Sequence, residues 1–126
     1  MAVPTDRRYA RTHEWCKLEG GRAVVGITQF AADQLTDITF VELPAVGMKV
    51  EAGRPCGQIE SVKSAGDLYA PVSGEVTAVN DVLTDEPGMV NRDPFGAGWF
   101  VKIRPGNAAE MDALLDAAAY DEFTAQ

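Results

Sequence analysis

Up to about residue 104, glycine, proline, asparagine and aspartate interrupt this chain so often that almost every run between them is short. Short runs rich in Val, Ile, Thr and aromatic residues, bounded by such breakers, are the pattern of strands. The spacing predicts strands over residues 14–18, 23–27, 38–42, 49–50, 55–61, 67–70, 74–80 and 99–104. Gly20-Gly21, between the first two, is a hairpin signal. Pro44, Gly47, Gly53 and the run Pro71-Val72-Ser73-Gly74 punctuate the middle, where a strand cannot simply continue. The expected fold is mainly β, made of small strands.

Two helical stretches interrupt that pattern. Thr28 is placed to N-cap a short helix in the N-terminal half, running to about Leu35, with Phe30, Ala31 and Leu35 as its inward face. Near the C-terminus, Asn107 as N-cap and Glu110 three residues on make a variant of the capping box, and Pro105-Gly106 blocks extension upstream. Met111, Leu114, Leu115 and Ala118 recur at i, i+3, i+4 and i+7, which predicts one helix over about residues 107–120 laying an apolar stripe against the sheets. The acids Glu110, Asp112, Asp116, Asp121 and Glu122 have no Lys or Arg among them from Pro105 onward, and read as a solvated face. Residues 80–98, rich in Asp, Gly, Asn and Pro, read as a long loop. Gly96-Ala97-Gly98 is not followed by a helix, so a phosphate-binding role has little support.

Composition narrows the function classes. A chain of 126 residues that is 46% hydrophobic and 24% charged is expected to form one globular domain over residues 1–126, its core spanning about residues 9–104. The formal charge of -8 disfavours nucleic acid or an anionic membrane as a partner and favours partners with basic patches. Cys16 and Cys56 form no CxxC pair and read as reduced thiols. With a single histidine, His13, no closed zinc set is visible, and no metal is expected. No apolar h-region opens the chain and no apolar stretch reaches membrane-spanning length, so the reading is a soluble, intracellular protein; it is expected to be a monomer.

The chemistry concentrates at Lys63. In the run Glu60-Ser61-Val62-Lys63-Ser64-Ala65-Gly66-Asp67-Leu68-Tyr69-Ala70-Pro71, strand-like residues lie on both sides of a turn centred on Lys63 and Ser64. Ile59, Leu68 and Tyr69 can anchor the two arms, and Glu60 and Asp67 bracket the tip with carboxylates. A lysine there holds its amine far into solvent. That serves buried catalysis poorly, because a Schiff-base lysine needs desolvation and a lowered pKa. It serves well a residue that an enzyme must find and modify: rigid strands hold the base, residues at the tip supply recognition, and acylation removes the charge. The residues alone leave open a modified carrier lysine, a nucleophilic lysine and a plain interaction module.

Longer segments add to this reading. Phe40-Val41-Glu42-Leu43-Pro44-Ala45-Val46-Gly47, Gly57-Gln58-Ile59-Glu60-Ser61-Val62-Lys63-Ser64-Ala65 and Asp67-Leu68-Tyr69-Ala70-Pro71-Val72-Ser73-Gly74 closely resemble the H proteins of the glycine cleavage system. So do His13-Glu14-Trp15, Val25-Gly26-Ile27-Thr28, residues 83–87, Val90-Asn91, Asp93-Pro94 and Gly98-Trp99, which extends the resemblance over about residues 9–120. Ser64, Gly66 and Cys56 depart from the residues common in that family, but all three are small or apolar swaps.

The resemblance implies the barrel-sandwich hybrid fold of lipoyl and biotinyl carriers, extended by helices. It implies lipoate amide-linked to Lys63, with Glu60, Val62, Ser64, Gly66 and Asp67 presented to a lipoate-attaching enzyme. The implied role is a non-catalytic carrier. It would take an aminomethyl group from a pyridoxal-phosphate glycine decarboxylase to a tetrahydrofolate-dependent aminomethyltransferase, and then offer its dithiol to dihydrolipoamide dehydrogenase. That cargo is cationic and prone to lose ammonia in water, so a carboxylate-lined cleft would both pair with it and slow its breakdown. Thr12, Glu14 and Asp67 are the candidates, provided that the first strand packs beside the hairpin. His13 could join them, although a lone histidine is more often a surface or capping residue.

Two alternatives keep the fold. A biotinyl carrier would usually flank its lysine with methionines, and here Val62 and Ser64 do so. A lipoyl or octanoyl relay to 2-oxoacid dehydrogenases is hardly separable by sequence. The expected location is a bacterial cytoplasm, or a mitochondrial matrix for a mature eukaryotic chain.

Overall fold

The computed structural model describes residues 2–107 and 109–125. Its strands, in chain order, are β1 (Arg8–Tyr9), β2 (Glu14–Glu19), β3 (Arg22–Ile27), β4 (Ile38–Glu42), β5 (Lys49–Val50), β6 (Pro55–Ser61), β7 (Ala65–Tyr69), β8 (Gly74–Val79) and β9 (Val101–Pro105). They form a six-stranded sheet in the order β1-β2-β3-β9-β8-β5 and a three-stranded sheet in the order β4-β6-β7. Every pairing is antiparallel. The mainly β expectation holds, and all eight anticipated strands are present with shifts at their ends.

Local chemistry explains the joints. Gly20 and Gly21, with φ of 57° and 79°, supply the left-handed backbone that the two-residue turn from β2 to β3 requires. Opposite Gly26 stands Trp15, and a Cβ at Gly26 would lie 2.7 Å from the indole ring. Alternation along β2 and β3 then sends Cys16 and Val25 to one face and Trp15 and Val24 to the other. The first face packs with Val41, Ile59 and Leu68 of the smaller sheet and with Val101 and Ile103 of β9. The second packs with Tyr9, Ala117 and Tyr120. The core therefore reaches well past residue 104.

That second face corrects the C-terminal expectation. Instead of one helix over residues 107–120 there are two, α4 (Ala109–Asp112) and α5 (Ala117–Thr124). Ala108, inside the expected span, lies outside the described residues. Between the helices Leu115 exchanges two backbone hydrogen bonds with Tyr9, each 2.8 Å, and Asp116 then caps α5 by accepting the Ala119 N–H at 2.8 Å. A strand pairing with a distant segment overrides the local helical period. Met111 is buried as anticipated, but Ala118 is exposed, and Ala117 and Tyr120 turn inward. Glu110 closes no capping box. Its carboxylate accepts from the Ser73 N–H and hydroxyl at 2.8 and 3.0 Å, while Asn107 accepts the Ala109 N–H.

The anticipated loop over residues 80–98 holds two single-turn helices, α2 (Val82–Asp85) and α3 (Met89–Arg92), which bury Leu83 and Val90. Four-residue helices are too short to show periodicity in sequence. The anticipated helix after Thr28 is also present, over Gln29–Leu35, with the Thr28 hydroxyl accepting the Ala31 N–H. It is α1 (Gln29–Leu35), called the pre-β4 helix below. Its inward residue is Ala32, flanked by Ala31 and Leu35; Phe30 is 37% exposed instead of facing inward.

Candidate functional site

The turn between β6 and β7 is organised by one hydroxyl. Ser61 Oγ accepts the N–H groups of Lys63 and Ser64 at 3.2 and 3.1 Å and donates to the Ser64 carbonyl at 3.1 Å, while the Ser61 N–H reaches the same carbonyl at 2.8 Å. A side-chain oxygen that satisfies successive backbone donors is the serine turn device. The Val62 N–H donates to the Asp37 carbonyl at 3.0 Å, tying the tip to the start of β4. Asn91 of α3 holds that start from behind, accepting the Ile38 N–H at 3.0 Å and donating to the Thr36 carbonyl at 2.7 Å. Below the turn, Ile59 and Leu68 are buried and Tyr69 is half-buried, so the arms are anchored as expected.

Lys63 stands exposed at this tip, and Glu60, Val62, Ser64, Gly66 and Asp67 are exposed around it. Its Nζ donates to the Gln34 carbonyl at 3.4 Å. That carbonyl lies in the last turn of the pre-β4 helix, where a cation is favoured. Gln34 also lines a cavity of about 390 Å³, whose wall includes Thr12, Glu14, Phe30, Leu35, Ile59 and Asp67. The three residues expected to form a cleft thus border one cavity beside the lysine.

Glu14 is the unusual member. Its side chain is 2% exposed, yet it carries an ionisable carboxyl. Thr12 Oγ1 donates to its Oε1, and the Tyr69 N–H donates to Oε2 at 3.1 Å. This second bond is the contact between the first long strand and the hairpin that the cleft reading needed. Burial pushes the carboxyl up to about 7, only partly opposed by the Thr12 hydroxyl and the Tyr69 amide. A carboxyl poised near neutrality in a cavity is a functional-site signal.

His13 proves to be a wall residue. Its Nδ1 lies 2.7 Å from the Tyr120 hydroxyl, which lies 2.7 Å from the Thr28 hydroxyl, and its ring stands 4.8 Å from that of Phe30. Burial holds its pKa below the ordinary histidine value. Tyr120 therefore fastens α5 to both the histidine and the cap of the pre-β4 helix. Sequence reasoning missed Tyr120, Gln34 and Ser61. Only Ser61 had a local signal, a turn-forming serine two residues before the lysine.

The two cysteines are free, buried in the first core face, and raised to about 12 by burial. Among the described residues no group of three His, Cys, Asp or Glu side chains is placed to hold a metal ion, and no helix is long and apolar enough to cross a membrane.

Comparison with known proteins gives a consistent result. The family profile described as Glycine cleavage H-protein matches residues 7–126. A glycine cleavage system H protein of Symbiobacterium thermophilum is 52% identical over 97% of this chain and 95% of its own length. One of Bacillus cytotoxicus is 50% identical over 100% and 99%. The crystal structure of a glycine cleavage system H protein from Mycobacterium marinum superposes with a TM-score of 0.91 at 39% identity, covering 98% of this chain and 100% of that one.

Proposed function

The chain belongs to the glycine cleavage H-protein family, and from that premise we propose that Lys63 carries the lipoyl group of this carrier. The carrier role itself follows from membership, and nothing favours the relay alternative over it. The observation that carries the assignment is the position of Lys63. Its amine is exposed for acylation and rests on Gln34 at the rim of a cavity that is apolar on its walls and carboxylate-bearing in its depth. The residues fit a lipoyl arm: Ile27, Phe30, Leu35 and Ile59 offer alkyl and aromatic surface. When bound, lipoate supplies the sulfur that holds the one-carbon amine and a dithiol–disulfide couple.

What the chain contributes is shelter. Here the Glu14 carboxylate, held in place by Thr12 and Tyr69, with Asp67 at the edge, would pair with a cationic amine carried on the arm. Pairing with a cation pulls the Glu14 pKa down from about 7 and keeps it ionised. The apolar walls keep out the water that would release ammonia. No group of the chain makes or breaks a bond in the glycine reaction; that work belongs to the docking enzymes. We read these as the pyridoxal-phosphate decarboxylase, the folate-dependent aminomethyltransferase and dihydrolipoamide dehydrogenase, with a lipoate-attaching enzyme acting beforehand. The two core faces share the larger sheet, which supports the chain acting as one domain. The bacterial relatives support a cytoplasmic location.

Intact mass of the protein purified from its native host tests the assignment. A lipoyl increment present in the natural chain and absent from Lys63→Arg is expected. An unmodified natural chain, or an increment that persists in Lys63→Arg, refutes it.

A further inference from the structure

The outer face of the smaller sheet carries residues that, apart from Asp67 at the cavity edge, neither the core nor the cleft uses. Strand pairing places Phe40, Glu60 and Ala65 in one cross-strand row, and Glu42, Gln58 and Asp67 in the next. All six are exposed. Large apolar side chains stand among them: Val62 is 69% exposed at the tip, Phe40 46% and Met48 45%. Met48 borders a shallow dent of about 250 Å³ whose other walls include Glu42, Pro55, Gln58 and Asp67. Three strands, β4, β6 and β7, contain three acids and no Lys or Arg. Lys63, Lys49 and Arg54, the sequence neighbours of Val62, Met48 and Pro55, are exposed as well, so the like charge is confined to the strand rows; exposed apolar groups beside such rows mark a protein-docking surface.

We propose that this face, from Val62 through Phe40 to Met48, docks the enzyme that acylates Lys63, by fitting Phe40 and Met48 into an apolar notch flanked by Lys or Arg. The proposal rests on Lys63 being the attachment site. Three observations select this occupant. First, the face is acidic and the chain as a whole carries -8, so a basic partner is complementary. Second, a twofold contact with another copy would set Glu42, Glu60 and Asp67 against themselves, which like-charge repulsion opposes. Third, reach matters. Enzymes that act on the end of an attached arm can sit an arm's length away, whereas the acylating enzyme must bring its donor carbonyl into bonding distance of Nζ. It has to touch the hairpin itself, and this is the face that runs down from the tip. In the step, Nζ forms an amide bond to the carbonyl carbon of an acyl adenylate or thioester. The donor's bond to its leaving group breaks, the amine gives up a proton, and nothing is oxidised or reduced.

The test is a time course of Lys63 acylation, read by intact mass, with a purified lipoate–protein ligase, lipoate and ATP. Phe40→Ser and Glu42→Lys are each expected to lower kcat/KM by roughly tenfold or more, mainly through KM, as removal of a buried interface anchor does. Leu18→Ser, which alters a 51% exposed leucine on the other sheet, is expected to leave the rate unchanged. Thermal unfolding and the rate of non-enzymatic acetylation of Lys63 report that fold and amine are intact in each variant. Wild-type acylation rates in both Phe40→Ser and Glu42→Lys overturn the proposal. Normal acylation combined with lost glycine decarboxylation overturns it too, and hands the face to the decarboxylase. A wild-type chain that takes no acyl group at Lys63 refutes the attachment site first, and this proposal with it.

Discussion

The turn that carries Lys63 and the cavity beside it are held in contrasting ways. Ser61 closes the turn with partners no more than three residues away. The cavity wall residue His13 is held by Tyr120, which reaches it across 107 positions and Thr28 across 92. A tether that must be found by one enzyme and then presented to others needs only a rigid local base. A shelter needs a shape, and shape comes from the packing of distant elements. Changes in the turn should therefore alter attachment, and changes in the wall should alter what happens after attachment.

The sharpest break falls on Lys63→Arg. Arginine keeps the charge on an exposed side chain, so folding is expected to be unchanged within a few tenths of a kcal/mol. It cannot be acylated in the same way, and support of glycine decarboxylation should be lost completely in a reconstituted system. Residual turnover would show that another residue bears the arm.

Glu14→Gln probes the cavity without touching the turn. Replacing the ionised partner removes a charge-assisted bond to the cargo, and the lifetime of the aminomethyl-loaded protein should fall by roughly tenfold. Lys63 acylation should stay at the wild-type rate. Stability should move the opposite way. The folded chain holds the Glu14 proton up to about 7, whereas the unfolded chain releases it near 4.5. Stability thus falls as pH rises through that window and stays low above it. His13 runs in the other direction, since burial favours its neutral form and stability is lost as pH falls. The difference curve between wild type and Glu14→Gln isolates the carboxyl. Chemical denaturation should show the variant gaining about 2–3 kcal/mol at pH 8 relative to pH 4.5. A flat difference curve would mean that the carboxyl is not buried as described.

The same contrast explains what could be read from sequence. The hairpin, its lysine and its anchors were legible because breakers, β-branched residues and alternation act over a few positions. Thr12, Glu14 and Asp67 were reachable as candidates through the acids near the base of the arm together with family resemblance, and the Glu14–Tyr69 bond that joins their segments spans 55 positions. Tyr120 carried no signal, because the break between α4 and α5 comes from the Leu115 pairing with Tyr9 and not from a local breaker. A helix drawn straight through residues 107–120 turns Ala118 inward, where the broken one turns in Ala117 and Tyr120. The helices α2 and α3 escaped for a different reason: each is one turn long.

Tyr120→Phe tests whether the wall matters as a shape. The ring stack on Tyr9, with centroids 4.8 Å apart, survives the change, and only the hydroxyl between His13 and Thr28 is lost. Loss of a buried hydrogen-bonding group should lower stability by about 1–2 kcal/mol. The loaded form should decay several-fold faster, by less than in Glu14→Gln, while acylation of Lys63 is unaffected. Equal lifetimes in Tyr120→Phe and wild type would confine the shelter to Glu14 and its immediate donors.

Ser61→Ala should give the smallest effect and the most local one. The hydroxyl it removes accepts two amide protons and donates once, all within the turn, yet the flanking backbone bond from Ser61 to Ser64 remains. The amides of Lys63 and Ser64 are exposed enough to turn to water, so the loss in global stability should be no more than about 1 kcal/mol. Hydrogen exchange at those two amides should accelerate while exchange at Tyr69, whose N–H serves Glu14, does not change. Acylation should slow modestly as the tip loses its preset geometry, and the lifetime of the loaded form should match wild type. A change at Tyr69 as well would show that turn and cavity move together, and the separation between tether and shelter would then fail.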